Sequence, residues 1–365
     1  MNRIWNRYTT LKPKVLVALS GGVDSSVAAL LLKKKGYSVI GAFIRGYNVD
    51  GCQDRDARDA AAVARTLSIP FYVFDFEKEY KKRVVDYLLA GYREGITPNP
   101  DVVCNREIKF GLLYDQMTSL GAEHIASGHY ARITHRGHTH RIYQGKDENK
   151  DQTYFLWDIN KNVLPSLLFP VGKYKKEKIR RIAREHAIPT ADKKDSQGVC
   201  FLGQFHFRDF LKEHLGTKEG PVVDERGVSI GVHEGTHLYT IGQRHGFTHD
   251  RPGPLYVVSK NDATNTLYVA PFNHASTYTS EILLESPNIL DVQTEHQLAK
   301  KGEVPVYVKT RYRQPSLTGT LVAKEGLSVV FPSPVQTFPA QGQSCVFYSK
   351  KGQLLGGALI TDACS

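Results

Sequence analysis

Between Val15 and Gly36 the chain reads VLVALSGGVDSSVAALLLKKKG, and no other stretch limits its fold so tightly. Five apolar residues in a row, Val15 to Leu19, suit a strand covered on both faces, as strands of parallel sheets are. Gly21 and Gly22 then permit a sharp turn. The spacing predicts a helix from Val27 to Lys35, stopped by Gly36. The alternation repeats, with a strand over Tyr37 to Ile44, a helix over Asp56 to Ser68 closed by Pro70, and a strand over Phe71 to Phe76. Strand and helix in this order build a parallel α/β sheet.

Helical patterns continue through EYKKRVVDYLLAGYREG and REIKFGLLYDQMTSLG, with the turn-rich ITPNPDVVCN read as a loop between them. HIASGHY reads as a further strand, RITHRGHTHRIYQG as a β-hairpin, and Lys173 to Ala187 as a basic helix. After about Gly216 the texture changes to short strand-like runs broken by Gly, Pro, Asp and Asn, which predicts small β modules. The expected domains are therefore 1–215, a catalytic α/β unit extended by helices; 216–275, a central β-rich unit; and 276–365, a β-barrel.

The glycine turn is an anion site in outline, because glycines let backbone N–H groups approach oxygens and a helix N-terminus adds partial positive charge. A nucleotide loop of the GxxxxGK type would carry a lysine before its Ser or Thr. Here Asp24, Ser25 and Ser26 follow instead, so the phosphates must be met differently.

Composition narrows the partners. With 41% hydrophobic and 23% charged residues the chain is an ordinary globular one, and no apolar run approaches the ~20 residues of a membrane span. The first residues, MNRIWNRYTTLKPK, have no apolar leader core, so a cytoplasmic location without membrane association is expected. A formal charge of +11 favours a polyanionic partner, since cations that neutralise phosphates release counterions. The five cysteines, Cys52, Cys104, Cys200, Cys345 and Cys364, are odd in number, scattered and lack any CxxC pair. That spacing excludes an ordinary zinc site and argues against a secreted disulfide scaffold. Cys104, before a predicted helix, and Cys200, close to two lysines, both sit where thiolate is favoured. The other three read as small buried hydrophobes.

SGGVDSS resembles the SGGxDS loop of the PP-loop ATP pyrophosphatases, which split ATP between its α- and β-phosphates to adenylate an acceptor. Over nearly the whole chain, ALSGGVDSS, TPNPDVVCNREIKF, SGHYAR, KDQTYFLW, KKDSQGVCFLG, HLYTIGQRHG, KTRYRQ and GQSCVFY together resemble the tRNA-specific 2-thiouridylases, the MnmA/TrmU family. The fold this implies is α/β plus β: a Rossmann-type PP-loop parallel sheet like that of the adenine nucleotide alpha hydrolases, a central β-rich domain and a C-terminal barrel that grips tRNA.

The implied activity is ATP-dependent 2-thiolation of the wobble uridine, giving 2-thiouridine, AMP and pyrophosphate. Its partners would be ATP with Mg2+, tRNAs of the lysine, glutamate and glutamine types, and a persulfide donor such as a sulfur-relay protein or cysteine desulfurase. By the same resemblance Ala18, Leu19, Ser20, Gly21, Gly22, Val23, Asp24, Ser25, Ile44 and Gly128 line the ATP site. Ser26 joins the pyrophosphate contacts, and Asp24 lies near Mg2+ or the triphosphate. Cys200 receives sulfur as a persulfide. Cys104 is the partner thiol that closes a disulfide with Cys200, and Asp101, beside the target base with Asn99 and Pro100, handles a proton.

His129, Lys150, Asp151, Gln152, Arg311, Tyr312 and Gln343 would face tRNA, a mixture suited to unstacked anticodon bases. The basic helix, with Lys175, Lys176, Lys178, Arg180, Arg181 and Arg184, is expected along an RNA backbone. The resemblance also carries an iron–sulfur alternative, with two cysteines plus Asp101 as ligands. Ile44 stands where the family usually has Met, IRGYNVDGC where many members have an Asn-Trp with acidic residues, and DSQG where DSTG is commoner. Two rivals remain at this point: another PP-loop ligase, which would not need Cys104 and Cys200, and a tRNA-binding protein with a decayed ATP site.

Overall fold

The computed structural model describes residues 12–47, 51–194, 207–324 and 326–364. The first strand, β1 (Lys14–Ala18), is flanked on one side by β2 (Ser38–Arg45) and β3 (Phe71–Asp75). On its other side lie β4 (His124–Ala126) and, beyond the β5 (Ala131–Arg136)/β6 (Thr139–Gln144) hairpin, β7 (Leu167–Leu168). The sheet order is β3-β2-β1-β4-β7, and every neighbouring pair is parallel. Because side chains alternate along a strand, β1 serves two cores. Leu16 packs with Ile40, Ile44, Ile125 and Cys104 on one face. Val15 and Val17 pack with Val27, Phe43 and Ile179 on the other.

Helix α1 (Val23–Lys34) and α2 (Cys52–Thr66) follow β1 and β2. α1 starts four residues earlier than the apolar spacing suggests, because Val23 and Asp24 already have helical geometry and Gly22 is the N-cap. The turn is thus shortened to Ser20–Gly22, and Asp24, Ser25 and Ser26 belong to the first helical turn. The basic helix is likewise Lys176–Glu185, shorter at both ends than Lys173 to Ala187.

A larger difference concerns Cys104. The chain enters a helix at Pro100, with Asn99 as N-cap, and runs on through Pro100–Val103, a wide-turned segment Cys104–Leu112, and Leu113–Ser119. Cys104 is therefore fully buried within a helix, rather than lying in a loop before one. Proline at the first helical position and an Asx cap are sufficient to start the helix in a segment that composition marks as a turn.

The central unit has strands β8 (Gly220–Val223), β9 (Ser229–His233), β10 (Leu255–Asn261) and β11 (Thr266–Pro271) in the order β10-β11-β8-β9. The last unit is a closed six-stranded barrel, β12-β15-β14-β13-β16-β17. Its strands are β12 (Tyr278–Ile289), β13 (Glu303–Lys309), β14 (Leu317–Ala323), β15 (Leu327–Gln336), β16 (Ser344–Tyr348) and β17 (Leu354–Cys364).

Strand β16 is buried on both faces for a definite reason. Cys345 and Phe347 fill the barrel, while Val346 and Tyr348 join the core of the α/β unit. Polar groups pin the same seam: Trp157 Nε1 donates to Ser344 Oγ at 2.9 Å, and the Tyr154 hydroxyl donates to the Ser344 carbonyl at 2.9 Å. Among the described residues no helix is long and apolar enough to cross a membrane.

Candidate active site

Ser20, Gly21 and Gly22 turn the chain from the carboxyl end of β1 into α1. Gly21 has φ +72°, and a Cβ there would lie 2.4 Å from the Asp56 carbonyl oxygen, so both conformation and space demand glycine. No side chain caps α1, which leaves its first N–H groups directed at the turn, where an anion is stabilised. The serines brace the turn from within. Ser25 Oγ and Ser26 Oγ donate to the Gly22 carbonyl at 3.1 and 2.8 Å, and the Ser20 amide donates to Ser25 Oγ at 3.2 Å. Ala18 and Leu19 lead into it; the Leu19 side chain is buried, as is that of Val23.

The lysine absent from the loop comes from elsewhere. Lys176, at the start of the basic helix, donates through Nζ to both Asp24 oxygens, at 2.8 and 2.7 Å. The Tyr130 hydroxyl donates to Asp24 Oδ1 at 2.8 Å. Lys176 is 12% exposed, so this cation faces the loop instead of solvent. Arg180 of the same helix donates to the Ala191 and Lys193 carbonyls, while Arg184 pairs with Asp192 at the exposed surface. Lys176 and Arg180, read as part of an RNA-facing stripe, therefore serve the α/β unit itself.

The turn after β4 connects the loop to the cysteine helix. A Cβ on Gly128 would lie 2.6 Å from the Ser25 nitrogen, so only glycine allows β4 to close on α1. The next residue, His129, is 8% exposed; its Nδ1 lies 2.7 Å from Ser127 Oγ, and its ring packs against Phe110 and Phe169. Phe110 lies on the Cys104 helix. Burial, seconded by the Lys109 charge, holds the His129 pKa well below its ordinary 6.5. The imidazole is therefore neutral at pH 7.

Asn99 Oδ1 accepts from the Val102 amide at 3.4 Å, and Pro100 and Asp101 form the first helical turn. Gln343 Nε2 donates to the Thr97 carbonyl at 2.8 Å, and the Thr97 amide donates to the Gln341 carbonyl at 2.8 Å. The barrel thus holds the segment entering the Cys104 helix.

The remaining expected tRNA residues have assorted placements. Asp151 is 6% exposed and accepts from the Gly145 amide and the Thr153 hydroxyl, so its carboxylate organises a loop. Gln152 Oε1 accepts from the Tyr130 amide at 3.0 Å, and Lys150 lies in the same loop. Arg311 donates to the Ile241 carbonyl, and burial lowers its pKa. The Tyr312 ring sits 4.6 Å from that of Phe155. Ile44 is buried in the sheet core at the end of β2. Beyond it, Gln53 accepts from the Gly46 amide and donates to the Tyr47 carbonyl, fixing the chain that leaves β2.

Cys200, its expected disulfide with Cys104 and the iron–sulfur alternative fall on a residue outside those described. The sequence reading passed over Tyr130 and Gln53 and assigned Lys176 to RNA. Tyr130 could have been noticed, since SGHYAR was already singled out. Nothing local in the sequence pairs Lys176 with a carboxylate 152 positions away.

Three family models match in succession. They are the tRNA methyl transferase HUP domain over residues 13–204, the tRNA methyl transferase PRC-barrel domain over 208–271, and the aminomethyltransferase beta-barrel domain over 279–360. A tRNA-specific 2-thiouridylase MnmA of Lactococcus lactis subsp. cremoris is 41% identical over 95% of this chain and 94% of its own. That of Bacillus subtilis is 40% identical over 96% of this chain and 95% of its own. Among solved structures, an NMN synthetase from Francisella tularensis aligns with TM-score 0.35 and 16% identity, over 55% of this chain and 72% of that one. At 40–41% identity along nearly the full length, the chain belongs to the tRNA-specific 2-thiouridylase family.

Proposed function

We propose that the protein adenylates the C2 oxygen of the wobble uridine of tRNA and replaces that oxygen with sulfur carried on Cys200. The observation that carries this reading is the turn of residues 127–130. It touches the anion loop through Gly128 and Tyr130 and the Cys104 helix through His129. One turn therefore joins the glycine loop to the helix that carries Cys104. The family-model descriptions speak of methyl transfer; an uncapped helix N-terminus favours phosphate chemistry.

In this reading residues 1–215 perform the chemistry in the cytoplasm, where tRNA is found, while 216–275 and 276–365 hold the tRNA. Ser20 to Ser26 and the α1 N-terminus receive the leaving pyrophosphate, with Lys176 adding the positive charge that a GxxxxGK loop would carry itself. Asp24, whose oxygens accept from Lys176 and Tyr130, would hold Mg2+ only by exchanging those partners, and the ion would supply charge neutralisation for the triphosphate. Asn99, Pro100 and Asp101 flank the base, Asp101 taking up a proton. His129, Lys150, Asp151, Gln152, Arg311, Tyr312 and Gln343 shape the anticodon side.

The chemistry balances as follows. The C2 oxygen attacks the α-phosphorus and pyrophosphate leaves. The terminal sulfur of the Cys200 persulfide then attacks C2, and AMP departs with the original oxygen. The Cys104 thiolate attacks the Cys200 sulfur, leaving the transferred sulfur on C2 and closing a Cys104–Cys200 disulfide. A dithiol reductant returns both cysteines to thiols.

The test is thiolation of a wobble-uridine tRNA of the lysine, glutamate or glutamine type with ATP, Mg2+ and a persulfide donor, read by retardation in a mercury-containing gel. Wild type should retard the tRNA, and Cys200→Ser and Cys104→Ser should not. Full activity of both variants would return the reaction to a ligase that uses neither thiol.

A further inference from the structure

We propose that Asp147 and Gln152 are positioning residues for adenylation: Asp147 sets Lys176, and Gln152 sets Tyr130, against the Asp24 carboxylate. The inference rests on Lys176 being the cation that the phosphates of ATP meet. Both residues lie on the loop from Gly145 to Gln152, which leaves β6 and carries Lys150, Asp151 and Gln152 of the residues assigned above to the anticodon side.

Asp147 acts through the start of the basic helix. Lys176 is the first helical residue, and the N-cap before it, Lys175, makes no side-chain capping bond. Asp147 Oδ2 accepts from the Lys176 amide at 2.9 Å, so a carboxylate 29 positions earlier satisfies an N–H that the helix itself leaves open. Its charge also meets the positive end of the helix dipole. The Lys146 amide donates to the Gly172 carbonyl at 2.9 Å, a second tie between the loop and the chain entering the helix. Holding the helix start holds the root of the lysine side chain. The amine then stays within reach of the glycine turn, whether it meets Asp24 or an incoming phosphate oxygen.

Gln152 acts through the main chain of Tyr130. Its Oε1 accepts from the Tyr130 amide at 3.0 Å, and its own amide donates to the Tyr130 carbonyl at 3.1 Å, so one residue holds both main-chain groups. A Cβ on Gly145 would lie 2.7 Å from the same carbonyl oxygen, so the loop seats closely on that turn. Tyr130, almost wholly buried, donates from its hydroxyl to Asp24 Oδ1 at 2.8 Å. The Lys176 amine stands 6.0 Å from the centre of its ring, within cation–π range. One loop therefore places both Lys176 and Tyr130. In the proposed function the same loop faces tRNA, so the groups that meet the RNA and those that meet ATP share one frame.

A residue that acts through another has nothing left to do once its target is gone, so positioning predicts losses that do not add. Full-length wild type, Asp147→Ala, Asp147→Asn, Lys176→Gln, Gln152→Ala, Tyr130→Phe and the double variants Asp147→Ala with Lys176→Gln and Gln152→Ala with Tyr130→Phe are compared. The assay is tRNA-dependent pyrophosphate release, with kcat and the KM for each substrate measured separately. Asp147→Ala should lower kcat/KM for ATP roughly tenfold to a hundredfold, the cost of misplacing a group by about 1 Å. Its KM for tRNA should be unchanged, which also shows it folded. Asp147→Asn keeps an oxygen for the Lys176 amide and should recover most of the rate. Gln152→Ala should lower kcat at saturating tRNA by a similar factor, and each double variant should be no slower than the slower of its singles. Wild-type kcat/KM in Asp147→Ala, or losses that multiply in the double variants, overturns the proposal. A change in Gln152→Ala confined to the KM for tRNA overturns its second half and leaves Gln152 a tRNA contact alone. Wild-type kinetics in Lys176→Gln would instead overturn the reading of Lys176 as the phosphate cation, independently of Asp147.

Discussion

The glycine loop has no lysine of its own, and the amine of Lys176 reaches both oxygens of Asp24 from the start of a distant helix; in the proposed reading this is the cation that the phosphates meet. Lys176→Gln should raise the KM for ATP and slow tRNA-dependent pyrophosphate release by about 10²-fold or more, as loss of a charged transition-state contact does. The same kinetics as wild type would remove Lys176 from the site. His129 supplies a pH test. Its folded pKa lies well below 6.5, because burial and Lys109 disfavour the imidazolium, so in acid the unfolded chain binds more protons than the folded one. The stabilisation this represents is complete above the unfolded pKa of about 6.5 and is lost progressively as pH falls towards the folded pKa. Urea midpoints for wild type and His129→Gln should converge as pH drops from about 7.5 to about 5.5. Parallel curves would show that His129 titrates normally. Glycines and serines of the loop were legible in the sequence because their chemistry is local. Lys176 and Tyr130 were not, since each acts on Asp24 from more than a hundred positions away; Gln53 bonds residues six and seven positions off, across a loop whose path no spacing rule gives.

At the level of elements, the helix carrying Cys104 shows where local reading stops. TPNPDVVCN has the composition of a turn, but only Thr97, Pro98 and Asn99 lie outside the helix; the rest is helical because Asn99 caps and Pro100 occupies the first position. Both signals were present in the sequence, and the density of turn-formers outweighed them. The end of α1 at Lys34 was readable from Gly36 just beyond its C-cap, whereas its start at Val23 was hidden by the polar Asp-Ser-Ser run that forms its first turn. Asn99→Ala should cost about 0.5–2 kcal/mol through the lost cap, and it should also raise the KM for tRNA while leaving that for ATP unchanged. Gln343 holds the preceding carbonyls from the barrel side, so Gln343→Ala should show the same KM split with a smaller change in stability. Denaturation midpoints together with steady-state kinetics in both substrates check this pair. A change confined to the KM for ATP would contradict the placement of the segment.

For the whole molecule, the barrel is packed into the α/β unit and is not an appendage. Strand β16 contributes to two cores at once, and Trp157 and Tyr154 hydrogen-bond into it from the catalytic unit. The sequence announced the β-rich texture after Gly216, but a strand buried on both faces looks the same whether its second partner is a sheet or another domain. Trp157→Ala should cost about 3–5 kcal/mol and lower tRNA affinity more than ATP affinity, read by thermal unfolding and by binding of each ligand. Unchanged tRNA binding would mean that the barrel acts independently of the seam.

The central claim is that one cleft turns the uridine oxygen into a leaving group and then delivers sulfur to the same carbon. A tRNA carrying a heavy-oxygen label at C2 of the wobble uridine tests it most directly, by mass spectrometry of the products of one turnover. The account predicts the label in AMP and none in pyrophosphate or water. Label appearing in water or pyrophosphate, with 2-thiouridine formed all the same, would contradict it.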